Sequence, residues 1–147
     1  MDAEIDAVRV AGTPNGPVPV VVLSVAGHRD VLPVFISFDQ ARSIVQGLDA
    51  TDIGRPLTHD LLLDTMEELG GRVERVVVTD VRDETYIADV HVAGPRDSVV
   101  VDARPSDALA LAARTNVPIE VAEAVFESGR RDPGTFTDLD DVREVID

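Results

Sequence analysis

The feature that most constrains this chain is an abrupt change of pattern between residues 98 and 112. A β-branched run, Ser98-Val99-Val100-Val101, stops at Asp102-Ala103-Arg104-Pro105 and passes at once into Ser106-Asp107-Ala108-Leu109-Ala110-Leu111-Ala112. Branching at Cβ restricts χ1 and suits a pleated strand, whereas alanine and leucine are strong helix formers. Proline restricts φ and is tolerated where a helix begins, because its missing N–H has no partner to lose there. The pattern predicts a strand over 98–102, an elbow, and a helix over 106–115. Such a junction presents side chains and unpaired first-turn amides to a ligand, so chemistry is sought here first.

With 147 residues and 44% apolar composition, the chain is long enough for one compact domain with a real core. Its 28 acidic residues outweigh 13 basic ones for a net charge of −15, and every basic residue is arginine. Genome base composition accounts for an absence of lysine without any functional cause. A broad basic face for nonspecific nucleic-acid binding is disfavoured. What remains is local recognition, by a few arginines on a phosphate or carboxylate, or by a metal ion that offsets the carboxylates. The absence of cysteine excludes a disulfide, a thiolate zinc site and a cysteine nucleophile, and fits a reducing cytosol. Met1-Asp2-Ala3-Glu4 lacks the layout of a signal peptide, and no apolar run approaches the roughly 18 to 20 residues that span a bilayer. The expectation is a soluble cytoplasmic protein with no membrane partner.

Residues 4–10 and 18–25 read as strands joined by a Gly/Pro-rich turn, and 31–37 as a third strand. Asp39 is then the expected N-cap of a short helix with Ala41, Ile44, Val45 and Leu48 inward, its last turn weakened by Gly47. Thr58 is the expected cap of a second helix, with Leu62, Met66 and Leu69 recurring at helical spacing until Gly70-Gly71. Strands over 72–79, 85–92 and 98–102 form a meander, and Asp80, at the end of one of them, belongs to a solvated hairpin tip or to a metal site with Asp83 and Glu84. The helix over 106–115 is apolar on nearly every side, so it is deeply buried or covered by another subunit. Residues 119–127 are open between a short strand, a helix, or one after the other. Residues 128–147 read as an acidic, solvated C-terminal tail with at most one late helix near 139–145.

Three strands followed by a helix occur twice, over 4–48 and 72–115, as a duplicated βββα unit or by convergent patterning. Either way the fold class is α+β with a largely antiparallel sheet, since blocks of strands separated by helices disfavour a doubly wound parallel sheet. The organisation expected is one domain over 1–127 followed by the tail, with a homo-oligomer covering strand edges and apolar helices.

Arg55-Pro56-Leu57-Thr58-His59-Asp60-Leu61, the Gly70-Gly71 helix stop before residues 73–80, and Asp102-Ala103-Arg104-Pro105-Ser106-Asp107-Ala108, closing with Arg114 and Pro118-Ile119, together resemble the bifunctional nuclease domain. The resemblance covers roughly residues 5–127. It implies an α+β domain of bacteria and plants, some members of which cleave both DNA and RNA.

Phosphodiester hydrolysis needs an activated water, stabilisation of developing charge and protonation of the leaving oxygen. Asp60, Asp102 and Asp107 are hard oxygen ligands suited to magnesium or manganese, His59 is a general base or acid, and Arg55, Arg104 and Ser106 are candidates for holding phosphate. Each has a structural alternative. His59 shares a helical face with Leu62 and Met66, and Asp60 and Asp107 lie in first turns, where a carboxylate stabilises the helix by about 0.3–1 kcal/mol. Ser106 and Asp102 can act as a cap and a strand-end acceptor, and Arg55 or Arg104 can pair with Asp60, Asp102 or Asp107 to clasp the two elbows together. Two functions follow: a metal-assisted nuclease acting on DNA and RNA, or a non-catalytic oligomeric module that binds a partner protein or an anionic small ligand.

Overall fold

The computed structural model describes residues 1–51 and 54–146. Its first half runs β1 (Asp2–Thr13), β2 (Gly16–Val25), β3 (Val31–Phe35) and α1 (Phe38–Leu48), then α2 (Thr58–Glu68). The second half repeats the order with β4 (Arg72–Arg82), β5 (Thr85–Ala93), β6 (Ser98–Ala103) and α3 (Pro105–Thr115). After it come β7 (Ile119–Val121), α4 (Glu123–Gly129), a single 3₁₀ turn at Pro133–Thr135, β8 (Asp140–Asp141) and another 3₁₀ turn at Val142–Glu144.

The fold is α+β, and both βββα units are present as antiparallel meanders. The short strand β7 joins them, giving the order β3-β2-β1-β7-β4-β5-β6 with β8 added to β1. β7 runs antiparallel to β1 and parallel to β4, the one parallel pairing among the named strands. Asp83 and Glu84, with φ of 50° and 65°, give the β4–β5 hairpin the positive angles that a two-residue I′ turn requires. Asp80 is spent locally, accepting from the Val81 amide and from Arg82.

One core cluster unites both meanders with α1 and α3. The apolar α3 is deeply buried: Leu109 and Ala110 are wholly covered, and solvent reaches the helix only near its two ends. Pro105 stands at the first helical position, and Asn116 ends the helix in the left-handed conformation, φ 58°.

Several local expectations need correction. Ser37, not Asp39, caps α1, through a reciprocal capping box with Gln40 that satisfies two amides at once. Leu57 precedes α2 in the cap position, because Asp60 reaches back to its backbone N–H and makes a hydroxyl at Thr58 unnecessary. Arg104 is the N-cap of α3, which leaves Ser106 inside the first turn. Leu62 and Leu69 face solvent at 47% and 74% exposure, while Leu63 and Met66 pack on the core. Residues 119–127, left open by the sequence, take the alternative of one after the other, a strand followed by the start of a helix.

The segment after residue 127, expected to be solvated, is instead packed. Phe136 is buried with Val20, Val22 and Val31, and Val142 is fully buried in the main core. β8 pairs with Arg9 and Val10 of β1, Arg9 donates to the Leu139 carbonyl at 3.1 Å, and Arg143 spans Asp49 and Asp141. A few well-placed apolar side chains suffice to dock an otherwise acidic stretch. Phe136→Ala is expected to destabilise the fold by about 3 kcal/mol in urea or thermal unfolding, the usual range for emptying a buried phenylalanine site. A change below about 0.5 kcal/mol, the size of an ordinary surface substitution, would mean the segment is not part of the cooperative unit.

Candidate functional site

Three helices meet at one polar network. α1 supplies Ser43, α2 supplies His59 and Asp60, and α3 supplies Asp107 and Arg114, with Arg104 at its cap. The Asp60 carboxylate accepts the Leu57 amide on Oδ2 at 3.0 Å, which leaves Oδ1 to accept the Arg114 Nε at 2.7 Å. Arg114 is only 7% exposed, and its guanidinium also donates to the carbonyls of Ser43 at 2.9 Å and Ala110 at 3.1 Å. Its stem crosses α1 at Gly47, where an added Cβ would lie 3.0 Å from Arg114 Cγ and Nη1 and 3.1 Å from the Ala113 methyl. Glycine at 47 weakens the last turn of α1 and permits this close crossing of α1 and α3.

His59 lies beside that pair. Its Nε2 is 2.9 Å from Asp107 Oδ1, and its Nδ1 is 2.7 Å from Ser43 Oγ. Burial pushes the Asp107 carboxyl up, but hydrogen bonds from Arg104 and His59 outweigh it and hold the group below the ordinary value of 3.8. An ionised carboxylate only accepts, so the partners assign the proton to Nε2. Ser43 accepts from Arg114 Nη2 at 3.3 Å and is left to donate its own proton to Nδ1. One orientation of every hydrogen thus satisfies the whole chain from Arg114 to Asp107. Asp60 behaves like Asp107: burial raises it, and the Leu57 amide and Arg114 more than reverse that.

Arg104 completes the network from outside. It is 70% exposed and reaches Asp107 with Nε at 2.8 Å and Nη2 at 3.3 Å, so the rest of its fork of donors faces away from that carboxylate. Ser106 is buried, and its Oγ has no hydrogen-bond partner among the described residues. Arg55 is exposed and makes no hydrogen bond or ion pair among the described residues. Asp102 is exposed on β6, in register with Asp89 of β5.

The expected residues therefore divide. His59, Asp60, Asp107 and Arg104 share one network, whereas Asp102 and Arg55 stand outside it. Asp60, Asp102 and Asp107 do not converge on one ligand set: among the described residues no group of three or more His, Asp or Glu side chains is placed to hold a metal ion. The anticipated clasp between elbows exists with different partners, through Arg114 to Asp60 and Asp107 to His59.

Ser43 and the pairing role of Arg114 are additions to the expected set, and only Arg114 carries a signal in the sequence. Ser43 lies off the inward stripe of Ala41, Ile44 and Val45, whereas Arg114 is the one charged residue in the last turn of an apolar helix. A polar group among buried neighbours calls for a partner across the interface.

The profile of the bifunctional nuclease domain matches residues 21–132, which include every residue of the network. An uncharacterized protein of Mycobacterium tuberculosis is 37% identical over 108 residues, 74% of this chain and 64% of that protein. Bifunctional nuclease 2 of Oryza sativa subsp. japonica is 26% identical over 145 residues, 86% of this chain and 45% of the rice protein. Bifunctional nuclease 2 of Arabidopsis thaliana is 29% identical over 128 residues, 75% of this chain and 39% of the plant protein. The chain thus spans less than two thirds of these relatives. It belongs to the bifunctional nuclease domain family.

Proposed function

We propose that the chain is a phosphodiester hydrolase acting on DNA and RNA, with proton transfer at His59 and phosphate held by Arg104. The observation that carries this reading is the imidazole fixed between Ser43 and Asp107, with a largely exposed arginine on the far side of the same carboxylate. A water beside Ser43 gives its proton to Oγ as the Ser43 proton passes to Nδ1, and the resulting hydroxide attacks phosphorus. The imidazolium, stabilised by Asp107 at Nε2, returns the proton it took up at Nδ1 to Ser43 Oγ, whose own proton passes to the departing oxygen. Arg104 keeps donors for the phosphate oxygens as charge develops on them. The plant relatives named as nucleases support the substrate class.

Magnesium or manganese is assigned no ligands in this reading, because among the described residues no three His, Asp or Glu side chains are grouped to hold one; both ions enter as variables of the assay. With a net charge of −15, attraction for nucleic acid must come from a few arginines. A second reading has its own support, the near-complete burial of Arg114 against Asp60. In it the network is a clasp between helices, and the domain is a binding module without catalysis. The exposed valines 99–101 on edge strand β6 are compatible with the homo-oligomer that either reading accommodates.

Cleavage of single- and double-stranded DNA and of RNA, measured with magnesium, manganese or chelator, separates the two readings. Asp107→Asn and Ser43→Ala are expected to lower the rate about 10²- to 10⁴-fold, the range of a general acid-base contribution. Folded variants that cleave as the parent does would leave the clasp standing alone.

The lowered carboxyls also set an acid limit on stability. Asp60 and Asp107 titrate below 3.8 in the folded chain, so their contribution is complete above the unfolded value near 3.8 and is lost as pH falls through the lower folded value. Thermal unfolding from pH 6 to pH 2 is expected to show a steeper acid loss in the parent than in Asp60→Asn or Asp107→Asn. Parallel curves would show that these carboxylates are not coupled to folding.

A further inference from the structure

Arg104 also borders a cavity of about 980 Å³, and the composition of its walls is unlike that of the chain. The whole sequence holds five aromatic residues, four Phe and one Tyr, and three of them, Phe35, Tyr86 and Phe136, line this one space. Phe35 is 55% exposed, an apolar ring left at the surface of an edge strand. Charge is inverted as well. Against 28 acidic and 13 basic residues in the chain, the cavity is lined by two arginines, Arg104 and Arg131, and a single carboxylate, Glu84.

Two unmet hydrogen-bonding features fall at the same place. Ser106, 4% exposed, contributes to the lining, and its Oγ is buried without a partner among the described residues. A buried hydroxyl left unsatisfied is costly in a native fold and calls for an explanation. The first turn of α3, in which Ser106 lies, has no side-chain cap because Arg104 occupies the cap position. Free amides at a helix start favour an anion. The packed C-terminal segment is what closes the space, since Arg131 and Phe136 both come from it.

We propose that this cavity binds a nucleoside monophosphate, with the base against Phe35, Tyr86 and Phe136 and the phosphate at Arg104, Arg131 and the Ser106 turn. Aromatic rings accept any base by stacking, and arginines grip phosphate oxygens through paired N–H donors. An apolar ligand leaves the two arginines unexplained, and a bare inorganic anion leaves the exposed ring of Phe35 unexplained. The inference goes beyond hydrolysis at His59, because a nucleotide can occupy this cavity whether or not the network is catalytic.

The test is calorimetric titration of the full chain with AMP, adenosine and ribose 5-phosphate, alongside Arg131→Ala and Phe35→Ala. Both variants alter exposed side chains outside the His59 network. AMP is expected to bind with a dissociation constant below about 1 mM. Adenosine and ribose 5-phosphate should bind about tenfold more weakly, and each substitution should weaken AMP about tenfold with the unfolding temperature unchanged. Because Tyr86 is the one tyrosine in a chain without tryptophan, its ring resonances give a local signal that should shift as AMP binds. No AMP binding at several millimolar, equal binding of adenosine and AMP, or parent-like affinity in both variants would overturn the proposal. Competition by a 5′-phosphorylated tetranucleotide identifies a strand end as the occupant, and its absence identifies the free nucleotide. A chain that cleaves without binding AMP defeats this inference alone, and one that binds AMP without cleaving defeats only the hydrolase reading.

Discussion

The buried guanidinium of Arg114 is the interaction on which the arrangement of the helices depends. An arginine 7% exposed must be neutralised and have its donors met, since an isolated buried charge is far too costly to keep. Asp60 supplies the charge, and the carbonyls of Ser43 and Ala110 supply acceptors, so one side chain fixes three helices relative to each other. The same demand explains why α1 carries glycine at 47, where any side chain would push on the arginine stem. With Arg114 in place, Ser43 is oriented by it, His59 by Ser43, and Asp107 by His59. The candidate site is thus the outer end of a chain of constraints that starts in the core.

The sheet imposes the complementary constraint. Two meanders alone would each expose a strand edge at the centre of the molecule, at β1 and β4. The short β7 closes that gap by pairing antiparallel on one side and parallel on the other. It can do so because Pro118 and the left-handed Asn116 end α3 abruptly and send the chain straight back into the sheet. β1 then has room further along for β8, and this places the C-terminal segment against Val20, Val22 and Val31 of the first meander.

Much of the architecture is legible in the sequence because it rests on short-range pattern. The valine-rich runs, the Gly70-Gly71 stop and the proline elbow each specify structure within a few residues, and both βββα units follow from them. What escapes such a reading is set by distant partners. Asp39 and Ser37 compete for one cap, and only the reciprocal bond to Gln40 decides it. The composition of residues 128–147 reads as solvated because acids dominate the average, while burial depends on where Phe136 and Val142 land. Within the site, His59, Asp107 and Arg104 are legible from their motifs. Their grouping is not, since His59 and Asp107 are 48 positions apart and meet only through the packing of α2 on α3.

Net charge and local chemistry point in different directions in this molecule, and the ion pairs reconcile them. Among the described residues, seven arginines are held by carboxylates, so the excess negative charge is spread over the remaining acids at the surface. A phosphate approaching at random meets repulsion, and long-range steering cannot supply affinity. Recognition must then be short-ranged, through arginines whose donors exceed the needs of their protein partner. Arg104 is such a residue: it satisfies Asp107 with one edge of its fork and borders both the His59 network and the aromatic-lined cavity with the rest. A lysine in its place would be a single point charge, able to neutralise Asp107 but without a planar second edge to offer a phosphate.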